Sequence, residues 1–214
     1  PHGTFRGRRI LGSGVRIDGG VYLGRRPREA IVVDTTRPDS AILKAYGDML
    51  QHVQDAAAQT DPHKPNTSAA VASLRRHLAA ELPDAMRAMV ARDMPYDELV
   101  VRQVADKHKL KADDKVHLDV YLRSRGGVCR HQVCFVGVVL ELLVRDEWLR
   151  GTVSLERKHV PGWFSHAWVR FVDGQGLEWV FDPAQGLYAQ LARLDEAGRG
   201  FYGRERLAIA LSPA

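Results

Sequence analysis

Cysteine is scarce in this chain, with Cys129 and Cys134 alone among 214 residues. A disulfide scaffold is therefore excluded, and packing, redox or catalytic roles remain; a reducing compartment is the easier setting for two thiols. Long hydrophobic runs are also missing. The longest, residues 133–140, is far short of the roughly 20 apolar residues of a membrane span, so no span is expected and the run reads as core. The nine histidines show no metal-ligand spacing such as His-Glu-x-x-His, so no metal or cofactor is expected. Gly12-Ser-Gly14 lacks the third glycine and the helix of a dinucleotide fingerprint and reads as turn residues.

Aromatic residues make up only 7% of the chain, and none is interleaved with the early cluster Arg6, Arg8, Arg9, Arg16, Arg25, Arg26 and Arg28. The net charge of +5 and pI near 9.4 are therefore read as a solvated basic face, and no nucleic-acid partner is expected. No charged-then-apolar signal segment is present, and the sequence starts at Pro1 without an initiator Met. The expectation is an excised domain or processed product, cytoplasmic or a secreted effector.

What is present is ordinary for a globular chain of this length: 45% hydrophobic and 27% charged residues, enough to bury a core without staples. Residues 10–33 carry short β-branched pieces broken by glycines, which predicts a hairpin or two, a small β-rich appendage over 1–35. A helical first half is expected from 36 to 125. Asp39 or Ser40 caps a first helix, which the run Asp61-Pro-His-Lys-Pro-Asn ends. Thr67 or Ser68 caps a second through Leu82, Pro83 starts a third, and Pro95 a fourth to about His108. Residues 113–123 read as a fifth helix or an extended piece, stopped by Gly126-Gly127. The following helix, with Cys129 near its start, is apolar on almost every side and so belongs in the middle of the fold. Residues 151–157, 165–172 and 177–181 then form an antiparallel meander with turns at Pro161-Gly162 and Asp173-Gly174. Helices followed by strands give the α+β class, with a domain over 36–214 whose Cys helix and sheet occupy 126–190.

The chemistry-bearing residues fall in this second half. A thiol at a helix N-terminus is favoured in its thiolate form by the free amides and dipole there, and Cys129 holds that position. Gly126-Gly127 keep bulk away, so a carbonyl can approach the sulfur while the Cys129 amide faces the developing oxyanion. His131 is two residues on, about 200° around the helix, and cannot act as base to Cys129; it and the other histidines outside the site read as surface side chains, with a bond to a nearby loop as the alternative for His131. Cys134 reads as core. Five residues apart on a helix, it sits roughly 8 to 9 Å from Cys129 between Cα atoms, beyond disulfide reach. His166 begins the strand Ser-His-Ala-Trp-Val-Arg-Phe, sharing a face with Trp168 and Arg170. Asp182 ends the next strand. A hairpin on the Asp173-Gly174-Gln175-Gly176 turn pairs positions whose numbers sum to about 349, which brings Asp182 opposite Ala167 and beside His166 within register error. A carboxylate there holds one ring nitrogen and leaves the other for the thiol. Trp163 is a candidate groove wall or loop anchor, and Tyr96 a weaker candidate for the second oxyanion donor.

The segments Gly-Gly-Val-Cys-Arg-His-Gln, Ser-His-Ala-Trp-Val-Arg-Phe and Glu-Trp-Val-Phe-Asp-Pro-Ala-Gln-Gly resemble, in order and spacing, the Cys, His and Asp motifs of the transglutaminase-like superfamily. The likeness covers about residues 113–186, and its Gly-x-Cys-Arg-His form is similar to that of a plant kinase-associated regulatory domain and bacterial relatives. The resemblance implies a papain-like α+β core and a catalytic triad of Cys129, His166 and Asp182 that acts without metal. It implies acyl transfer from an amide of a protein or peptide substrate, of transglutaminase, deamidase or protease type. Two other readings follow: a catalytically silent module of this fold that binds proteins, and the toxin domain of a bacterial effector.

Overall fold

A computed structural model describes residues 3–24, 28–60, 68–160 and 164–204. Trp163, the Pro161-Gly162 turn, the break at residues 61–66, Thr67, Arg25 and Arg26 lie outside the described residues. The chain is mixed α+β, with two sheets and six helices among those residues.

The first sheet uses β1 (Thr4–Phe5), β2 (Arg8–Ile10), β3 (Gly20–Leu23) and β4 (Ala30–Val32). β1–β2 and β3–β4 are antiparallel, as hairpins require, but β2 and β3 run parallel, with Arg9 opposite Gly20. The connection between them turns through Gly14 and Gly19, both at positive φ, where a side chain is strained. The sheet takes its fifth strand, β5 (Lys115–His117), from 85 residues downstream, parallel to β4 with Ile31 opposite Val116. Leu11, Ile17, Tyr22, Ile31 and Val33 join the main core cluster. The opening residues expected as an appendage thus share both a sheet and a core with the rest.

Three helices follow β4. α1 (Ala41–Thr60) begins after Ser40, whose hydroxyl accepts from the Leu43 amide at 3.4 Å. α2 (Ser68–Asp93) runs unbroken through Pro83, so the expected helix start at that proline is corrected. An interior proline costs about 3 kcal/mol, but Leu78, Leu82, Ala85, Met86, Met89 and Val90 stay in phase and buried on both sides of it, and that burial outweighs the cost. α3 (Glu98–Lys107) starts three residues later than expected from Pro95, because the Asp97 carboxylate caps the Leu99 and Val100 amides at 2.8 and 3.0 Å. Residues 113–123 contain both expected forms, β5 and then α4 (Leu118–Arg123).

α5 (Cys129–Arg145) is the central helix, buried at thirteen positions. Gly137 lets the second sheet and the first loop close on it, since a Cβ there would meet Leu155 Cδ2 at 2.7 Å and Ile17 Cδ1 at 2.8 Å. The Glu141 carboxylate on the same helix accepts the Ile17 and Asp18 amides, at 3.0 and 2.7 Å, tying that loop down.

The second sheet is an antiparallel meander of β6 (Gly151–Val160), β7 (Phe164–Asp173), β8 (Glu178–Asp182) and β9 (Leu187–Gln190), the last strand not foreseen from the sequence. Alternation along β7 gives two buried faces. Ala167, Val169 and Phe171 join the main core with α5, whereas Trp168 and Val180 form a smaller cluster with Tyr202 and partly buried Phe201 of α6 (Glu196–Tyr202). No described helix is long and apolar enough to cross a membrane.

Candidate active site

Cys129 opens α5 and is partly exposed, while Cys134 is fully buried. The turn before Cys129 is clamped by backbone bonds: the Gly127 amide donates to Pro95 O at 3.1 Å, and the Asp97 amide to Gly127 O at 2.8 Å. A Cβ on Gly126 would meet Val100 Cβ at 2.7 Å, and one on Gly127 would meet His131 Cβ at 2.8 Å. Glycine is needed at both positions for this close approach. Among the described residues, no acceptor faces the Cys129 amide.

His166, the third residue of β7, is 6% exposed, and Asp182, the last of β8, is fully buried. Phe181 opposes Val169, one residue from the expected register, so Asp182 comes level with Trp168 rather than Ala167. Because a one-residue slip reverses the face of every side chain, this register places Asp182 on the His166 side of the sheet. The expected register would have turned it toward α5. Asp182 Oδ2 lies 2.5 Å from His166 Nε2. The His166 ring is also in hydrogen-bonding contact with the Cys129 side chain; with Nε2 engaged by Asp182, Nδ1 is the nitrogen left for the thiol. Burial alone would lower the His166 pKa, but the bonds from Asp182 and Cys129 and their charges raise it from 6.5 to about 9. At neutral pH the ring is therefore an imidazolium, a proton donor beside the sulfur.

Asp182 has further partners that the sequence did not reveal. The Tyr202 hydroxyl donates to Oδ2 at 2.8 Å, and the Gln185 amide to Oδ1 at 3.3 Å. Tyr202 is held in turn by Arg170, 2% exposed, whose guanidinium donates to the Tyr202 carbonyl and to Glu178. Burial and the neighbouring Asp182 push the Tyr202 pKa upward, keeping the hydroxyl protonated as a donor.

A second buried network surrounds the other side of the turn. Glu29 Oε1 accepts from Arg130 Nη2 at 2.8 Å, Tyr121 Oη at 3.1 Å and His131 Nε2 at 2.9 Å. His131 is fully buried, correcting the surface reading, and its Nδ1 accepts the Val128 amide at 3.1 Å. Burial lowers the His131 pKa to about 4. The Glu29 carboxyl, which burial alone would raise, is brought down to about 2 by the His131 bond and by Arg130. The Glu29 side chain comes from a stretch with no motif, 102 residues before His131; Arg130-His131 within the Cys motif is the one signal pointing to it.

Tyr96 lies beside the turn, bridged to Gly127. It is 51% exposed and its hydroxyl donates to Glu98 at 3.2 Å, so the proposed oxyanion donor is engaged elsewhere. Burial and the Glu98 carboxylate push its pKa upward, so the hydroxyl stays protonated. A cleft of about 580 Å3 beside the start of α1 and the end of α4, lined by Asp39, Lys44, Asp48, Asp93 and Arg123 among others, contains none of the three site residues. Among the described residues, no group of three or more His, Cys, Asp or Glu side chains is placed to hold a metal ion. Comparison with protein-family models, curated proteins and solved structures gives no match to this chain, so a functional reading rests on this geometry and on the motifs that carry it.

Proposed function

We propose that this chain is a cysteine-dependent enzyme of the transglutaminase-like type, acting on amide carbonyls of proteins or peptides through an acyl-enzyme. The observation that carries this reading is the chain of contacts Asp182 to His166 to Cys129, with the thiol at a helix start and partly exposed. With its proton held by His166, Cys129 Sγ attacks the carbonyl carbon, and the unclaimed Cys129 amide faces the oxyanion. His166 passes its proton to the departing nitrogen as the C–N bond breaks, leaving a thioester on Cys129 and ammonia or an amine in solution. Neutral His166 then takes a proton from water or from an incoming amine, whose attack on the thioester returns the thiol. Asp182 keeps the ring oriented and its charge compensated throughout.

Incubating the protein with a protein mixture and a labelled primary amine separates the possible acceptors in one assay. Label incorporation identifies transfer, ammonia release without label identifies deamidation, and new termini identify proteolysis. Cys129→Ala should abolish whichever signal appears. Brief iodoacetamide treatment at neutral pH, read by intact mass and peptide mapping, should label Cys129 and spare Cys134, whose thiol burial pushes up in pKa. Equal labelling of both, or of neither, removes the activated thiol and with it the proposed activity.

A further inference from the structure

We propose that Glu29 is a positioning residue for the nucleophile: it fixes His131 as the Nε2–H tautomer, so that Nδ1 takes the Val128 amide and sets the turn that presents Cys129. The inference rests on Cys129 being the reactive thiol, and it assigns a purpose to Arg130 and His131 that the triad leaves unexplained.

Val128 is the N-cap residue of α5, extended at φ −111° and ψ 179°, and its side chain has no acceptor with which to cap. Its own amide is buried one residue before the nucleophile, where an unpaired donor costs about 1 to 3 kcal/mol. His131 occupies the third helical position, from which a Glu or Gln side chain usually reaches back to the N-cap amide. An imidazole can do this only with Nδ1 unprotonated, which places the proton on Nε2 and requires an acceptor there. Glu29 Oε1, 2.9 Å away, is that acceptor.

The surrounding groups hold this protonation state. Arg130 balances the Glu29 charge, Tyr121 donates to the same oxygen and packs its ring 3.9 Å from His131 between centroids, and the nearby Arg28 charge disfavours a second proton on the imidazole. With the Val128 amide consumed by His131, the Cys129 amide is the first of the helix left for a ligand. Glu29 touches neither sulfur nor substrate position, and its influence on Cys129 passes through His131 and the turn.

The test is a kinetic double-mutant cycle on the iodoacetamide rate constant of Cys129, combined with nitrogen-15 NMR of the histidine tautomers in the full chain. Glu29→Gln should slow alkylation about tenfold, the scale of one charge-assisted hydrogen bond, while melting stays cooperative. His131→Gln, which keeps an acceptor at the third position, should react about tenfold faster than His131→Leu. Because Glu29 acts through His131, adding Glu29→Gln to His131→Gln should slow the reaction clearly less than Glu29→Gln does alone. Full additivity, or an unchanged rate in folded Glu29→Gln, overturns the inference. Should a variant fail to fold, the wild-type spectrum decides: His131 protonated on Nδ1 at neutral pH overturns the proposal, and a proton on Nε2 alone upholds it. If wild-type Cys129 reacts no faster than the same cysteine in urea, the proposed activity fails instead, and the tautomer and the cycle still report on Glu29.

Discussion

Asp182→Asn offers the sharpest test of the electrostatics at the site. The substitution keeps the size of the side chain and removes the charge 2.5 Å from His166. His166 is raised from 6.5 to about 9 against the opposing effect of burial, which at about 1.4 kcal/mol per pKa unit corresponds to a net stabilisation of roughly 3 kcal/mol. Cys129 supplies part of it, so a Cys129→Ser background isolates the share of Asp182. A raised pKa means that the folded state binds a proton the unfolded state has lost. The stabilisation is therefore complete below pH 6.5 and disappears as the pH rises through about 9. Urea unfolding of the Cys129→Ser protein from pH 6 to about 10 should show this loss. With Asn at 182, burial governs the imidazole and its pKa falls below the ordinary value, so the decline over that window should vanish from the Asp182→Asn protein and appear in the difference between the two. Contributions from lysines and from tyrosines away from the site are common to both and cancel, while Tyr202, whose pKa Asp182 raises, matters only near and above the ordinary tyrosine value of about 10. Equal losses of stability in both proteins between pH 6.5 and 9 would refute the assignment of Asp182 as the cause of the raised His166 pKa.

Two other substitutions test the supports of the site. Tyr202→Phe removes one donor to a buried carboxylate that keeps His166 and Gln185; urea unfolding should show a loss of about 1 to 2 kcal/mol, and NMR titration should show the His166 pKa moving up as Asp182 leans harder on it. An unchanged titration would mean that Tyr202 is packing alone. Glu141→Ala leaves the Ile17 and Asp18 amides without their acceptor and should cost about 2 to 4 kcal/mol by the same measurement, with Glu141→Gln recovering part of it.

The order and type of the elements from α5 through β8 were legible because periodicity changes abruptly at Gly126-Gly127 and again at Gly151, and turn residues mark each strand end. The register of β7 against β8 was not, since a count across a turn carries an error of one and one residue decides the face. Pro83 misled for a related reason: local conformational cost is written in the sequence, while the burial of Met86 and Met89 that offsets it depends on partners far along the chain. Cys129, His166 and Asp182 were singled out by motif and brought together by the fold. Glu29 and Tyr202 were missed because each lies in a stretch without pattern, and only the meeting of distant elements gives either side chain a partner.

The clasp between α6 and the end of β8 has a consequence for how the protein comes into being. During synthesis the Cys129 turn and its Glu29 support emerge together with the first 145 residues of the chain, well before β7 and β8. The carboxylate that orients His166 acquires its last partner only when Tyr202 docks, at the end of the described chain. At about 5 to 20 residues per second, roughly 4 to 15 seconds separate the synthesis of Cys129 from that of Tyr202. Docking of α6, rather than exposure of the cysteine, is what completes the set of contacts around Asp182.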